Sequence, residues 1–293
     1  MKIHLALVLI RMLSWLPLPL LHGLAWPVGR ALYFLPWRKH QVIQTNLALA
    51  FPQLDQRQRD SLHRRNLVEM VRLVLESGVV WHGSARRLER LVRTVQGWHH
   101  VEDARQSGRG VLLIGGHFGN WEIDALYVGR HGRFSGLYKA PRNKRVEPAL
   151  TGSRTRFGAR LIAAGSPAMR QLIRELRSGG TVGLLMDQQP RQGEGVFAPF
   201  FGHPALTMTL VNRLAQRTGC RVVFAGGRRL GGGRGWELAF EPVDEAIAGD
   251  DPALAAGVMN AVLEARIRQQ PEQYLWLYKR FALQPSGRTS PYS

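Results

Sequence analysis

Cysteine occurs once, at Cys220, which excludes an internal disulfide framework and a thiolate zinc cluster. That usage fits a reducing compartment, or a surface facing one. Acidic side chains are also scarce, with 21 Asp and Glu against 40 Lys and Arg, for a formal charge of +19. Such an excess points to an anionic partner: nucleic acid, membrane or an acidic protein. The arginines are spread along the chain without a zinc finger or an RNA-binding aromatic signature, which argues against nucleic acid. There is no G-x-S-x-G elbow, and Cys220 lies between a helix and a strand with no base nearby, so no acyl-enzyme nucleophile is indicated. Internal repeats and low-complexity tracts are absent too.

What is present suits one large folded unit. The 293 residues, 45% hydrophobic and 9% aromatic, are enough to bury a sizeable core. From Lys2 to Pro36 the chain is strongly apolar, and no charged residue intervenes between Arg11 and Arg30. That length is borderline for a membrane span, and Pro17, Pro19 and Pro27 would break a straight helix. Three readings stand: a true crossing, a bent interfacial anchor with Arg11 and Arg30 at the polar boundary, or an amphipathic hairpin packed on the body. Asp55 to Val80 has helical spacing with a cationic polar face, through Leu62, Leu67, Met70, Val71, Val74 and Leu75. Gly110 to Gly116 and Thr181 to Asp187 are short apolar runs that predict interior parallel strands. Phe134 to Tyr138, Arg221 to Gly226 and Trp236 to Val243 predict further strands. Ala168 to Arg177, Thr207 to Thr218 and Pro252 to Gln269 predict helices. The alternation implies an α/β fold, a central, mostly parallel β-sheet flanked by helices. The glycines of Leu230 to Gly235 read as a hairpin loop and not as a phosphate cradle, so no cofactor is implied, and no metal site is supported. The tail, 284–293, is rich in Pro, Ser and Gly and is expected to be flexible.

The chemistry concentrates in Gly115-Gly116-His117-Phe118-Gly119-Asn120-Trp121-Glu122, a corner between a strand and a helix. Open α/β sheets display reactive groups at the carboxyl ends of their strands, where His117 falls. On a continuous helix His117 and Glu122 would diverge, so a turn at Gly116 and Gly119 is needed to let the carboxylate reach back to the imidazole. A histidine held by a carboxylate is suited to act as a general base. The plainer alternative is a packed corner histidine and an acidic residue favouring the helix N-terminus. Asn120 reads as the N-cap of that helix. Phe197, Phe200 and Phe201 line either an acyl channel or ordinary core. Tyr138, Lys139 and Arg142 form a basic loop that either meets phosphate or is simply solvated.

His117 to Glu122 (HFGNWE) resembles the H-x4-D/E motif of glycerolipid acyltransferases, in the form typical of the late lipid A acyltransferases. The resemblance extends over nearly the whole chain. It includes the apolar N-terminus, Tyr138 to Asn143, Ser153-Arg154-Thr155-Arg156, Met186-Asp187-Gln188-Gln189 and Pro271 to Phe281. It implies a membrane-anchoring segment at 1–36 and an acyltransferase domain at 37–283. It also implies transfer of a fatty acyl chain from acyl carrier protein, an acidic donor, to a hydroxyl of a lipid A precursor. The acceptor is then an anionic glycolipid at the cytoplasmic face of the bacterial inner membrane; an ornithine lipid or another glycolipid is the alternative. By the same resemblance His117 is the general base and Glu122 its orienting partner. Arg154 and Asp187 are two further functional positions, with Arg156 a rival to Arg154 because the family shows Gly-Arg where this chain has Ser153-Arg154. An arginine there would stabilise the developing oxyanion or hold a lipid phosphate, with Asp187 to orient it, unless the two form a structural ion pair.

Overall fold

The computed structural model describes residues 2–141, 143–165 and 167–292, with side chains from residue 7 onward. Four helices open the chain: α1 (Lys2–Leu13), α2 (Leu18–Leu32), α3 (Lys39–Ala50) and α4 (Gln56–His82). After α5 (Ala85–Leu91) come β1 (Val92–Gln96), α6 (His99–Gln106), β2 (Val111–Gly115), α7 (Trp121–Arg130) and β3 (Phe134–Tyr138). Next are α8 (Glu147–Thr155), β4 (Arg160–Ala163), α9 (Ala168–Arg177) and β5 (Thr181–Leu185). A hairpin of β6 (Gly195–Phe200) and β7 (His203–Met208) precedes α10 (Leu210–Thr218), and β8 (Arg221–Leu230), β9 (Gly235–Pro242) and α11 (Pro252–Gln269) complete the order.

Seven strands form one sheet in the order β1-β9-β8-β2-β5-β3-β4, parallel throughout except for the β8–β9 hairpin. Central β2 is buried along its whole length, which is why its sequence is an unbroken apolar run. Leu112 and Ile114 point to a layer built with Leu172 of α9, Leu214 of α10 and Leu263 of α11. Val111 and Leu113 point the other way, to Ile123 and Leu126 of α7 and to Val79 and Val80 of α4. The expected α/β layering, with a mostly parallel sheet, is the observed one.

The expected N-terminal membrane anchor is not supported by the fold. Among the described residues no helix is long and apolar enough to cross a membrane, so the spanning alternative finds no support. A turn after Leu13 divides the apolar stretch into α1 and α2. Pro17 and Pro19 fall at the start of α2, where a missing N–H costs nothing, and Pro27 is carried inside the helix. One face of α2, Leu18, Leu21, His22, Ala25 and Gly29, is buried. Gly29 is needed there, because a Cβ would meet Val68 Cα of α4 at 2.5 Å. The other face leaves Leu20, Leu24, Trp26 and Val28 exposed.

The helix expected over Asp55 to Val80 is α4, which opens after a capping box in which Asp55 Oδ1 accepts from Gln58 N at 2.8 Å and Gln58 Oε1 accepts from Asp55 N at 2.9 Å. The β6–β7 hairpin corrects one expectation, since Thr207 and Met208 belong to a strand and α10 begins only at Leu210. Its two-residue turn puts Phe201 at φ 51° and Gly202 at φ 76°. Left-handed backbone is unfavourable for phenylalanine. Burial of the ring offsets that cost, with centroids 5.4 Å from Phe51 and 5.9 Å from Trp276. Among the described residues the terminal segment has no regular element, yet Tyr292 packs on the core and its hydroxyl accepts from Phe281 N at 3.2 Å.

Candidate active site

β2 and β5 pair in parallel with Gly115 opposite Leu185, and Met186 N extends the ladder by donating to Gly115 O at 2.8 Å. Two residues further on, the same register sets His117 against Asp187. His117 Nδ1 lies 2.8 Å from Asp187 Oδ1, and the His117 peptide N–H donates to Asp187 Oδ2 at 2.8 Å. An ionised carboxylate only accepts, so Nδ1 carries the proton and Nε2 of the neutral ring is bare. That nitrogen lies 3.5 Å from Gln188 Nε2, and the ring packs edge-on to Trp121 at 4.7 Å between centroids. Burial alone would pull the imidazole down, but the charge and hydrogen bond of Asp187 raise it above the usual 6.5. Burial pushes the Asp187 carboxyl up, yet the charge and two hydrogen bonds of His117, with the charge of Arg280, hold it below the usual carboxylate range.

This geometry exchanges the expected partners. Glu122, expected to orient His117, turns to α8, where Arg154 Nε donates to its two oxygens at 3.1 and 2.9 Å and Nη2 also bonds Oε1. Asp187, expected to orient the arginine, holds the histidine. The reason is the strand register: Asp187 already meets both the ring and the peptide of His117, which leaves Glu122 in the first turn of α7 facing α8. Arg156 lies outside the site, its guanidinium on Trp81 O and Gly83 O and over the Phe157 ring. Asn120 occupies the N-cap position but makes no side-chain cap; its amide goes to Glu76 Oε2 at 2.8 Å. Cys220 is buried at the start of β8, at the opposite end of the strands from His117, with burial pushing its thiol up.

The His117 loop has its backbone satisfied from several directions. Gly119 N donates to Gln273 O at 3.0 Å, Leu275 N donates to His117 O at 3.0 Å, and Asn120 N donates to Gly227 O at 3.3 Å. At Gly119 the backbone is left-handed, φ 57°, and a Cβ would meet Gly227 O at 1.9 Å, so only glycine fits. The Tyr274 to Phe281 segment is a series of turns that straps the corner: Tyr278 Oη accepts from Gln189 N at 2.9 Å.

His117, Glu122 and Arg154 open onto a cavity of about 940 Å³. Ala125 and Val128 of α7 line a slot of it together with Leu113, Gly183 and Ala225 of the sheet, and Met169, Leu172 and Met208 line another part. Asp124 reaches into the slot, where burial raises its carboxyl to about 7 against the lowering effect of its hydrogen bond from Gly227 N. Phe197, Phe200 and Phe201 do not line this cavity; the last two are core. Lys139, Arg191 and Arg213 do line it, exposed. Tyr138 Oη donates to Glu147 Oε1 at 3.2 Å, and Arg142 lies outside the described residues.

At this corner a histidine held by a carboxylate stands beside a largely apolar cavity. The chain belongs to the bacterial lipid A biosynthesis acyltransferase family, whose model matches residues 1–282. It is 30% identical over 279 residues to the lipid A biosynthesis lauroyltransferase of Escherichia coli (strain K12), covering 94% of this chain and 90% of that protein. The palmitoleoyltransferase of the same strain is 27% identical over 278 residues, covering 94% and 90%, and its myristoyltransferase 25% over 256 residues, covering 84% and 76%.

The network of Glu76, Arg229 and Gln273 behind the corner has no place in the H-x4-E spacing. A signal was present in α4: Leu62, Asn66, Glu69, Glu76 and Val80 fall on one buried stripe, which places two carboxylates where apolar residues belong.

Proposed function

We propose that this chain transfers a fatty acyl group from an acyl carrier protein thioester to a hydroxyl of a lipid A precursor, at the cytoplasmic face of the bacterial inner membrane. The observation that carries the reading is the bare Nε2 of a carboxylate-held His117 on an apolar cavity of about 940 Å³, in a member of this family. His117 Nε2 takes the proton of the acceptor hydroxyl as its oxygen attacks the thioester carbonyl. The tetrahedral oxyanion collapses by breaking the C–S bond, and the imidazolium returns its proton to the departing thiolate. Asp187 fixes the ring and stabilises its charged form. Arg154, held in place by Glu122, is the cation for the oxyanion or for the acceptor phosphate.

The surroundings support the same reading. A formal charge of +19 suits both an acidic carrier and a phosphorylated lipid, and Lys139, Arg191 and Arg213 bring cations to the cavity. Trp15, 75% exposed, and Phe34, 80% exposed, join the free face of α2 in an apolar surface fit for an interfacial anchor.

The test is transfer from acyl carrier protein to a lipid A precursor in detergent, comparing the wild type with His117→Ala and following folding by circular dichroism. Transfer should fall ~10²–10⁴-fold in a folded variant. Folded wild-type protein that transfers no chain to this acceptor would rule the acceptor out.

A further inference from the structure

Behind the corner lies a cluster of buried charges that the proton transfer does not use. Glu76, on α4, is 0% exposed and accepts four hydrogen bonds. They come from His22 Nε2 at 2.7 Å, Arg229 Nε at 2.6 Å, Arg229 Nη2 at 2.9 Å and Asn120 Nδ2 at 2.8 Å. Arg229, 3% exposed on β8, also donates to Glu69 Oε2 at 2.7 Å and to Gly119 O at 3.2 Å. Burial pushes the Glu76 carboxyl up, but Arg229 and His22 outweigh it and bring it down to about 2, so it is an anion and His22 Nε2 is the donor.

A buried ion cluster adds little net stability over apolar packing, so stability alone is a weak account of this one. Its geometry says more. Two of its donors, the Asn120 amide and the Arg229 guanidinium, fix residues 119 and 120, which follow His117 on the same loop. The fourth hydrogen bond reaches in the other direction. His22 is on the buried face of α2, the helix whose free face exposes Leu20, Leu24 and Trp26. One carboxylate therefore joins the seating of the N-terminal hairpin to the position of the His117 loop.

We propose that Glu76 is a positioning residue for the transfer reaction, holding the His117 loop through Asn120 and Arg229 and tying it through His22 to the seating of the α1–α2 hairpin. The proposal rests on the reading of His117 as the base. Misplacement of a reacting group by about 1 Å costs ~10²-fold in rate, and that is the scale expected here.

Asn120→Ala releases the loop while leaving the Glu76–Arg229 pair intact, and His22→Phe releases the hairpin. Each should lower kcat by ~10²-fold, with the donor KM changed less than about twofold, in protein that melts as one transition. His22→Gln, which keeps a donor, should recover most of the loss. Wild-type kcat in folded Asn120→Ala protein overturns the loop arm, and equal kcat for His22→Phe and His22→Gln overturns the hairpin arm. A second readout does not depend on the substrate: the His117 signal in histidine-labelled NMR, assigned with His117→Gln. Its titration should move in Asn120→Ala and in His22→Phe, and an unmoved titration in both overturns the proposal. A wild type that transfers nothing to any hydroxylated lipid would sink the base reading alone, with the NMR arm still deciding the positioning.

Discussion

Two histidines in this molecule are held by carboxylates at nearly the same distance, His117 by Asp187 at 2.8 Å and His22 by Glu76 at 2.7 Å. Their surroundings differ. His117 presents its second nitrogen to a cavity, while His22 is 2% exposed and its Nδ1 has no hydrogen-bond partner among the described residues. Both Asp187 oxygens accept from His117, with the Tyr274 hydroxyl beside the same carboxylate, whereas Glu76 divides its oxygens among His22, Arg229 and Asn120. A histidine–carboxylate pair is a base only where the far nitrogen can meet a proton; sealed on every side, the same pair is a joint.

Breaking the first pair should have the largest effect. Asp187→Asn removes the charge that raises the His117 pKa and should lower transfer ~10²–10⁴-fold. Transfer needs the neutral imidazole, so the rate climbs as pH rises through that raised pKa. Without the Asp187 charge the acid limb should move to lower pH even as the plateau falls, as kcat measured against pH will reveal. An acid limb that stays in place would erase the distinction between the two pairs.

Breaking the second pair should act on stability. Glu76→Ala leaves Arg229 buried with only Glu69 opposite it, at a cost of ~3–5 kcal/mol in urea unfolding. The folded pKa of Glu76 is depressed, from 4.5 to about 2. Its contribution is therefore present above 4.5 and fades as pH falls towards 2; the variant should lose that part of the acid sensitivity. A smaller effect sharpens the cavity side of the comparison. Ala125→Leu fills the slot beneath α7 and should shift the products from mixed donors towards shorter chains, at ~1–3 kcal/mol per methylene excluded, read by mass spectrometry.

Much of this was legible in the residues. The apolar runs of β2 and β5, the long α4 and the α9 and α11 bounds follow from periodicity. The corner was visible too, with His117 and Glu122 on it, while Arg154 and Asp187 entered only through the family resemblance. Their pairing was not, because local spacing favours Glu122 for His117 and says nothing about strand order. Once β2 and β5 are neighbours, with Val111 opposite Thr181, the His117–Asp187 pair follows by counting along both strands. The β6–β7 turn was hidden for another reason: it sets a phenylalanine in left-handed backbone, where turn chemistry calls for Asn or Gly. Glu76 was obscured because a buried carboxylate is recognised by what surrounds it, here Arg229 and Asn120 from distant segments.

The loop that carries His117 is closed by Gln273 and Leu275, from the far end of the chain. A ribosome making this chain adds the residues that clamp His117 about 150 residues after His117 itself. While the nascent chain is still growing, the corner has its histidine but not its frame. The site is therefore framed only when those later turns pack against it.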